Sequence, residues 1–241
     1  RRLLEGVMRP TVAVMFGGRS LEHDVSVVSG LQILHAIDPD RFAPMPIYID
    51  QSLRWWVGDD LWHNESFKGG LDRSRATEVA LSPGFGTSTL VPAGSPGGAG
   101  FSRPFSGQPL PVDVFIPVLH GTYGEDGSIQ GQLELGGCAY VGCGVLASAV
   151  GMNKRMTKII AANAGVPIVP WLACDRSVLD RGRDWLREYP AKVESSFGWP
   201  VIVKPCNLGS SAGVSTASTA DEMNAGILKV FEYDVEALIE P

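Results

Sequence analysis

The chain has 241 residues, a formal net charge of −6, 44% hydrophobic residues and 19% charged ones. That is enough chain to bury one large core or two small ones, and the composition excludes a wholly disordered polymer. The acidic balance argues against nucleic acid as a partner, because phosphate binding needs a basic face. No apolar run approaches the roughly 20 residues that cross a bilayer, and residues 1–10 lack the apolar stretch of a signal peptide. The expectation is therefore a cytoplasmic protein without a membrane partner. Cys138, Cys143, Cys174 and Cys206 show neither metal-ligand spacing nor the density of a disulfide framework, and they read as buried free thiols.

In chain order, residues 11–16 (TVAVMF) form a short apolar, β-branched run that ends in Gly17-Gly18. This predicts a strand and a glycine turn, followed by a helix over 22–37. A second strand over 46–49 completes a βαβ unit of a parallel sheet. Residues 112–119 (VDVFIPVL) form a third strand, nearly continuous in apolar residues as a strand covered on both faces should be. Between the second and third strands lies a poorly patterned insert in which Gly, Pro and Ser make up most of 83–109. It reads as a mobile surface excursion whose beginning is anchored by Trp55-Trp56.

A second domain is expected to begin at residue 143, giving domains 1–142 and 143–241. Its helix over 154–164 stops at Gly165 with Pro167 beyond. A strand over 199–205 runs into a glycine-serine loop over 207–213, with an antiparallel partner from Val214. Thr219 and Glu222 fit a capping box. The helix they open carries Met223, Ile227, Leu228 and Phe231 at apolar spacing, and a last strand covers 235–240. Asp221, Glu222, Glu232, Asp234 and Glu236 read as solvated helix and loop acids.

Three segments carry chemistry. Lys204 and the loop GSSAG over 209–213 place a compact positive charge beside small residues whose backbone N–H groups can approach phosphate oxygens. The loop lacks the P-loop order, and taken alone such a hairpin is also an ordinary turn. HGTYGEDG over 120–127 follows an apolar strand at the end where open parallel sheets bind ligands. Its histidine and two acids suit a small zwitterion, or a satisfied histidine in a tight turn. GGRSLEHDVS over 17–26 lies at the same end of the first strand. There Glu22 either meets the helix dipole or binds an ammonium group, while His23 and Asp24 are expected to face solvent.

GGRSLEHDVS, HGTYGEDGSIQG and VIVKPCNLGSSAGVS in this order, with YVGCGVLASAVGMNK between them and ALIE at the close, resemble the D-alanine:D-alanine ligase family of the ATP-grasp superfamily. The resemblance implies an α/β fold: a doubly wound parallel-sheet N-terminal domain followed by the first α+β lobe of an ATP-grasp fold. It implies D-alanine and ATP as substrates, Mg2+ as cofactor and a homodimer. Glu22 would hold the ammonium of the first D-alanine, with Ser210 supporting that catalytic site, His120 close to the substrate and Glu125 bracing it from behind. Lys154 and Lys204 would contact ATP phosphates, Gly209 and Ser211 would cover them, and Glu240 would receive the adenine amino group. Asn153 stands where the family usually has Asp. The metal ligands are expected in a second lobe absent from residues 1–241, which alone should not turn over. A D-lactate or D-serine ligase and a non-catalytic nucleotide-binding module are the alternatives.

Overall fold

The computed structural model describes residues 9–82, 84–93 and 108–241. It divides into a first unit ending at Leu146 and a second unit, Ala147–Pro241.

The apolar run becomes strand β1 (Thr11–Gly17), flanked by β2 (Ala43–Ile49) and β7 (Val114–Pro117), both parallel to it. Side chains alternate across a strand, so β1 serves two cores. Val14 and Phe16 join Val27, Leu31 and Leu34 of helix α1 (His23–Ala36) on one face. Ala13 and Met15 join Ile129 and Leu133 of helix α2 (Ser128–Leu135) on the other. Coverage on both faces is what the doubly wound reading requires. Gly30 allows the close approach of α1, since a Cβ there would collide with the Phe16 side chain.

The sheet does not stop at its parallel centre. Strands β3 (Trp55–Val57), β4 (Thr77–Leu81), β5 (Thr89–Pro92) and β6 (Leu110–Pro111) extend it antiparallel, giving the order β6-β5-β4-β3-β2-β1-β7. Residues 84–87 are exposed, but residues 89–92 correct the expected surface excursion. Ladder hydrogen bonds satisfy their backbone, and Leu90 is fully buried. Residues 83 and 94–107 of that insert lie outside the described residues. Trp55 and Trp56 anchor its start as expected, one buried in each core.

The second unit contains helix α4 (Lys154–Asn163), which follows helix α3 (Val145–Met152). Gly165 (φ 77°) ends α4 by donating to the Ala162 carbonyl, while Val166 donates to that of Ala161. This pair of bonds is a Schellman stop. Beyond it β8 (Leu172–Asp175), β9 (Val201–Pro205), β10 (Ser215–Ala217) and β11 (Glu236–Glu240) form an antiparallel sheet in the order β10-β9-β11-β8. Helices α5 (Trp185–Ser196) and α6 (Ala220–Val230) cover one face, packing Trp185, Tyr189, Met223 and Ile227 onto Val201, Val203, Ala237 and Ile239. Of the apolar positions expected on α6, Leu228 is exposed. Thr219 caps α6 by accepting from the Glu222 amide, but the Glu222 carboxylate accepts from Ser218 rather than closing the box on Thr219.

Candidate active site

In the first unit, β1 ends at Gly17 (φ 97°), where a Cβ would collide with the Ile49 carbonyl. Only glycine lets β1 and β2 approach this closely while the chain turns off the sheet. Ser26, fully buried, ties three elements together at this end: its Oγ accepts from Gly17 N (2.8 Å) and donates to the Val118 carbonyl (2.6 Å). These bonds fix the segment carrying Glu22 against the segment carrying His120.

The two sequence motifs meet here. Glu22 Oε2 lies so near the Cα of Gly121 that a Cβ there would sit 2.5 Å from it. Gly121 (φ 69°) is therefore required both by its backbone and by its neighbour. Glu125 accepts from the Gly121 amide (2.7 Å), and so braces the loop directly after His120. His120 Nε2 lies 3.3 Å from Ser29 Oγ. Asp126 accepts from Tyr123 N (2.8 Å) and Ser128 N (3.0 Å), which makes it a loop and helix-start brace. A cavity of about 120 Å³ opens beside the motifs, between Gly18, Ile49, Trp55, His120 and Tyr123.

His23 corrects the sequence reading, for it is buried. Its Nδ1 bonds the Gly18 carbonyl, which can only accept, so Nδ1 carries the hydrogen. In the neutral ring Nε2 then accepts from the Tyr48 hydroxyl (3.1 Å).

In the second unit, directly opposed residues of an antiparallel pair share a face. Lys204 opposes Leu238 and Ile202 opposes Glu240, so Lys204 and Glu240 share the face turned away from α5 and α6. The Lys204 ammonium pairs with Glu240 Oε2. Lys158, from α4, pairs with Glu240 Oε1. Burial pushes the Glu240 carboxyl up, but hydrogen bonds from the two lysines more than offset it and hold the group below the ordinary carboxylate value of 4.5. Lys154 donates Nζ to the Leu208 carbonyl at the root of the glycine-serine loop. Burial, and next the nearby Lys204 charge, lower its pKa.

The loop itself turns through Ser210 (φ 50°), Ser211 (φ 59°) and Gly213 (φ 72°). Two successive serines in the left-handed region are held at a conformational cost, a pattern that gathers at functional turns. Gly209 closes the first turn by accepting from Ala212 N (3.2 Å).

Two acids read as solvated have specific partners in the structure. Glu236 is buried and pairs with Arg155, and Asp234 binds Asn207 at the start of the loop. Asn153 caps α4 by accepting from Met156 N (2.8 Å) and donates Nδ2 to Asn207 Oδ1 (2.7 Å). That donor is something an aspartate could not supply. Sequence reasoning missed Lys158 entirely. The available signal was its spacing of four from Lys154, which puts both on one side of a helix. Among the described residues no three His, Cys, Asp or Glu side chains cluster as metal ligands, and no helix is long and apolar enough to cross a membrane.

An α/β unit with a glycine turn at the end of its first strand, followed by an antiparallel α+β unit with two lysines near a glycine-serine loop, fits the ATP-grasp class. The family models described as D-ala D-ala ligase N-terminus and D-ala D-ala ligase C-terminus match residues 11–143 and 160–241. The chain belongs to the D-alanine–D-alanine ligase family. It is 38% identical to the D-alanine–D-alanine ligase of Heliobacterium modesticaldum over 97% of this chain and 60% of that protein. With the Arthrobacter sp. ligase it shares 41% identity over 98% and 59%, respectively. The chain thus spans about 60% of the length of these curated relatives. Among solved structures it resembles the Coxiella burnetii D-alanine-D-alanine ligase, with a TM-score of 0.81 and 27% identity over 97% of this chain and 64% of that one. It also resembles the VanG D-Ala:D-Ser ligase of Enterococcus faecalis, with a TM-score of 0.79 and 27% identity over 97% and 62%.

Proposed function

We propose that this chain forms the first-substrate site and part of the nucleotide site of an enzyme that joins two D-alanines at the expense of ATP, to supply peptidoglycan synthesis. The observation that carries this reading is the pairing of Lys154 and Lys204 with the glycine-serine loop, Lys154 bonded to its root and Lys204 at the end of the strand that enters it. Family membership supplies the substrates. Glu22, beside Gly121, is assigned to the ammonium of the first D-alanine, with Ser210 assigned to the same substrate and Glu125 holding the loop after His120. Lys154, Lys204, Gly209 and Ser211 are assigned to ATP phosphates, and Glu240 to the adenine amino group. We further assign the enzyme to the cytoplasm and to a homodimer, as the family reading implies.

The chemistry follows from charge. A carboxylate resists attack by an amine because its negative charge repels the nucleophile. A carboxylate oxygen of the first D-alanine therefore attacks the γ-phosphorus of ATP and ADP leaves. The amine of the second D-alanine then attacks the acyl phosphate carbon and phosphate leaves. Lysines offset the charge that develops during transfer, and a loop closed over the phosphates excludes water that would hydrolyse the intermediate. Mg2+, when bound, would neutralise phosphate charge. Among the described residues no group of three His, Cys, Asp or Glu side chains is placed to hold it.

The likeness to a D-Ala:D-Ser ligase favours D-serine as the second reading for the other substrate. Product analysis decides between them: an enzyme that contains this chain together with the second lobe is supplied with ATP and D-alanine, with or without D-serine, and dipeptides and ADP are measured. D-alanyl-D-alanine is expected to dominate. Glu22→Gln should preserve the fold yet lower efficiency in D-alanine by roughly tenfold or more, because it removes a charge-assisted contact of about 1.5–3 kcal/mol. Unchanged efficiency in that variant would remove Glu22 from the substrate site.

A further inference from the structure

Glu240 holds the most enclosed ion pairs of the second unit among the described residues. Its side chain is 9% exposed, and its partners Lys158 and Lys204 are 15% and 24% exposed. The pairs of Glu188 with Arg181 and Lys192 are, by contrast, open on both sides. Surface pairs of that kind contribute little, whereas a buried carboxylate stripped of its partner is strongly unfavourable.

This matters because the two lysines are differently placed. Lys204 sits on β9 at the entry to the glycine-serine loop and is assigned above to a phosphate, a role that turns its ammonium away from Glu240. Lys158 enters from α4, where its Nζ also donates to the Val169 carbonyl (3.2 Å). It is thus held to Val169 as well as to Glu240 Oε1, a contact that does not depend on Lys204.

We propose that Lys158 is a positioning residue of the nucleotide site: it keeps Glu240 ionised and correctly aimed once Lys204 turns to a phosphate, so that the carboxylate can accept the amino group of the adenine base. The inference rests on the nucleotide reading of this site and deepens it. It makes base discrimination depend on a residue that touches neither the base nor the phosphates. With both lysines present Glu240 is doubly compensated. With Lys204 engaged elsewhere, Lys158 alone decides whether the carboxylate stays charged and in place.

The test compares equilibrium binding of ATP and of inosine triphosphate, which lacks the amino group, to the unaltered protein, to Lys158→Met, to Glu240→Gln and to the double variant. Methionine keeps a long apolar stem while removing the charge. The unaltered protein is expected to prefer ATP by on the order of tenfold, the usual worth of one hydrogen bond to a charged group. Lys158→Met should abolish most of that preference through weaker ATP binding, leaving inosine triphosphate nearly unaffected. Lys158→Arg should restore part of it. In the Glu240→Gln background, which leaves no buried carboxylate to compensate, Lys158→Met should change the ratio no further. This arm keeps the test decisive if the single variant does not fold.

A folded Lys158→Met protein with unchanged preference, or with ATP and inosine triphosphate weakened equally, overturns the positioning role. So does a further loss in the double variant. Equal binding of the two nucleotides by the unaltered protein, or binding of neither, overturns the underlying assignment of Glu240 instead, and the inference with it.

Discussion

Asn207 donates three hydrogen bonds to Asp234: its backbone N–H at 2.7 Å, and its side-chain amide to the two carboxylate oxygens at 3.0 and 3.2 Å. Asn207 Oδ1 in turn accepts from Asn153 at the start of α4. Lys154, the next residue, donates its backbone N–H to the Cys206 carbonyl (3.0 Å). The root of the glycine-serine loop is therefore clamped between α4 and the turn that enters β11, although the loop beyond it offers few apolar contacts.

Asp234→Ala should release that root. It leaves the Asn207 donors without their carboxylate, at a cost of about 1–3 kcal/mol, and it should raise amide hydrogen exchange across 207–213 while sparing β9 and α6. Exchange mass spectrometry of the two proteins checks this. Unchanged exchange at 207–213 would show that the loop holds itself.

Glu240 contributes a pH dependence whose sign is fixed by its partners. Its folded value lies below the ordinary 4.5, so its contribution to stability is fully present above the unfolded value and is lost as pH falls through the folded one. Denaturant unfolding of the unaltered protein and Glu240→Gln should therefore show a gap at neutral pH that narrows below about pH 4.5. A gap that stays constant into strong acid would mean that the two lysines do not stabilise the ionised form.

The cysteines should separate by reactivity. Burial pushes the Cys174 thiol up to about 11 and the Cys206 thiol up to about 12, and Cys138 is buried, whereas Cys143 is exposed. A thiol reacts as its thiolate and only where reagent reaches it. Mild alkylation of the native protein near pH 8, read by peptide mass spectrometry, should label Cys143 first and the other three only on unfolding. The sequence reading placed all four inside, and Cys143 is the exception. Early labelling of Cys206 would show the loop root to be open.

What the sequence determined by itself is local and periodic. An apolar β-branched run ending in Gly17-Gly18 reads as a strand turning off a sheet, Gly165 before Pro167 stops a helix, and three motifs in order are enough to reach the family. What only the tertiary structure decided lies across the chain. Residues 89–92 carry turn-rich neighbours, yet they become strand β5 because a neighbouring edge satisfies their backbone and Leu90 fills the core. His23 looks solvated beside Asp24, but the turn of α1 carries it inward onto Gly18 and Tyr48. Asp234 and Glu236 look like surface acids because nothing nearby in sequence pairs with them, and their partners Asn207 and Arg155 arrive from other elements. Lys158 shows the limit most plainly. Its spacing of four from Lys154 was an available signal that went unused, and a charge gains a specific role only from the charge it meets: Glu240 stands at the far end of another strand.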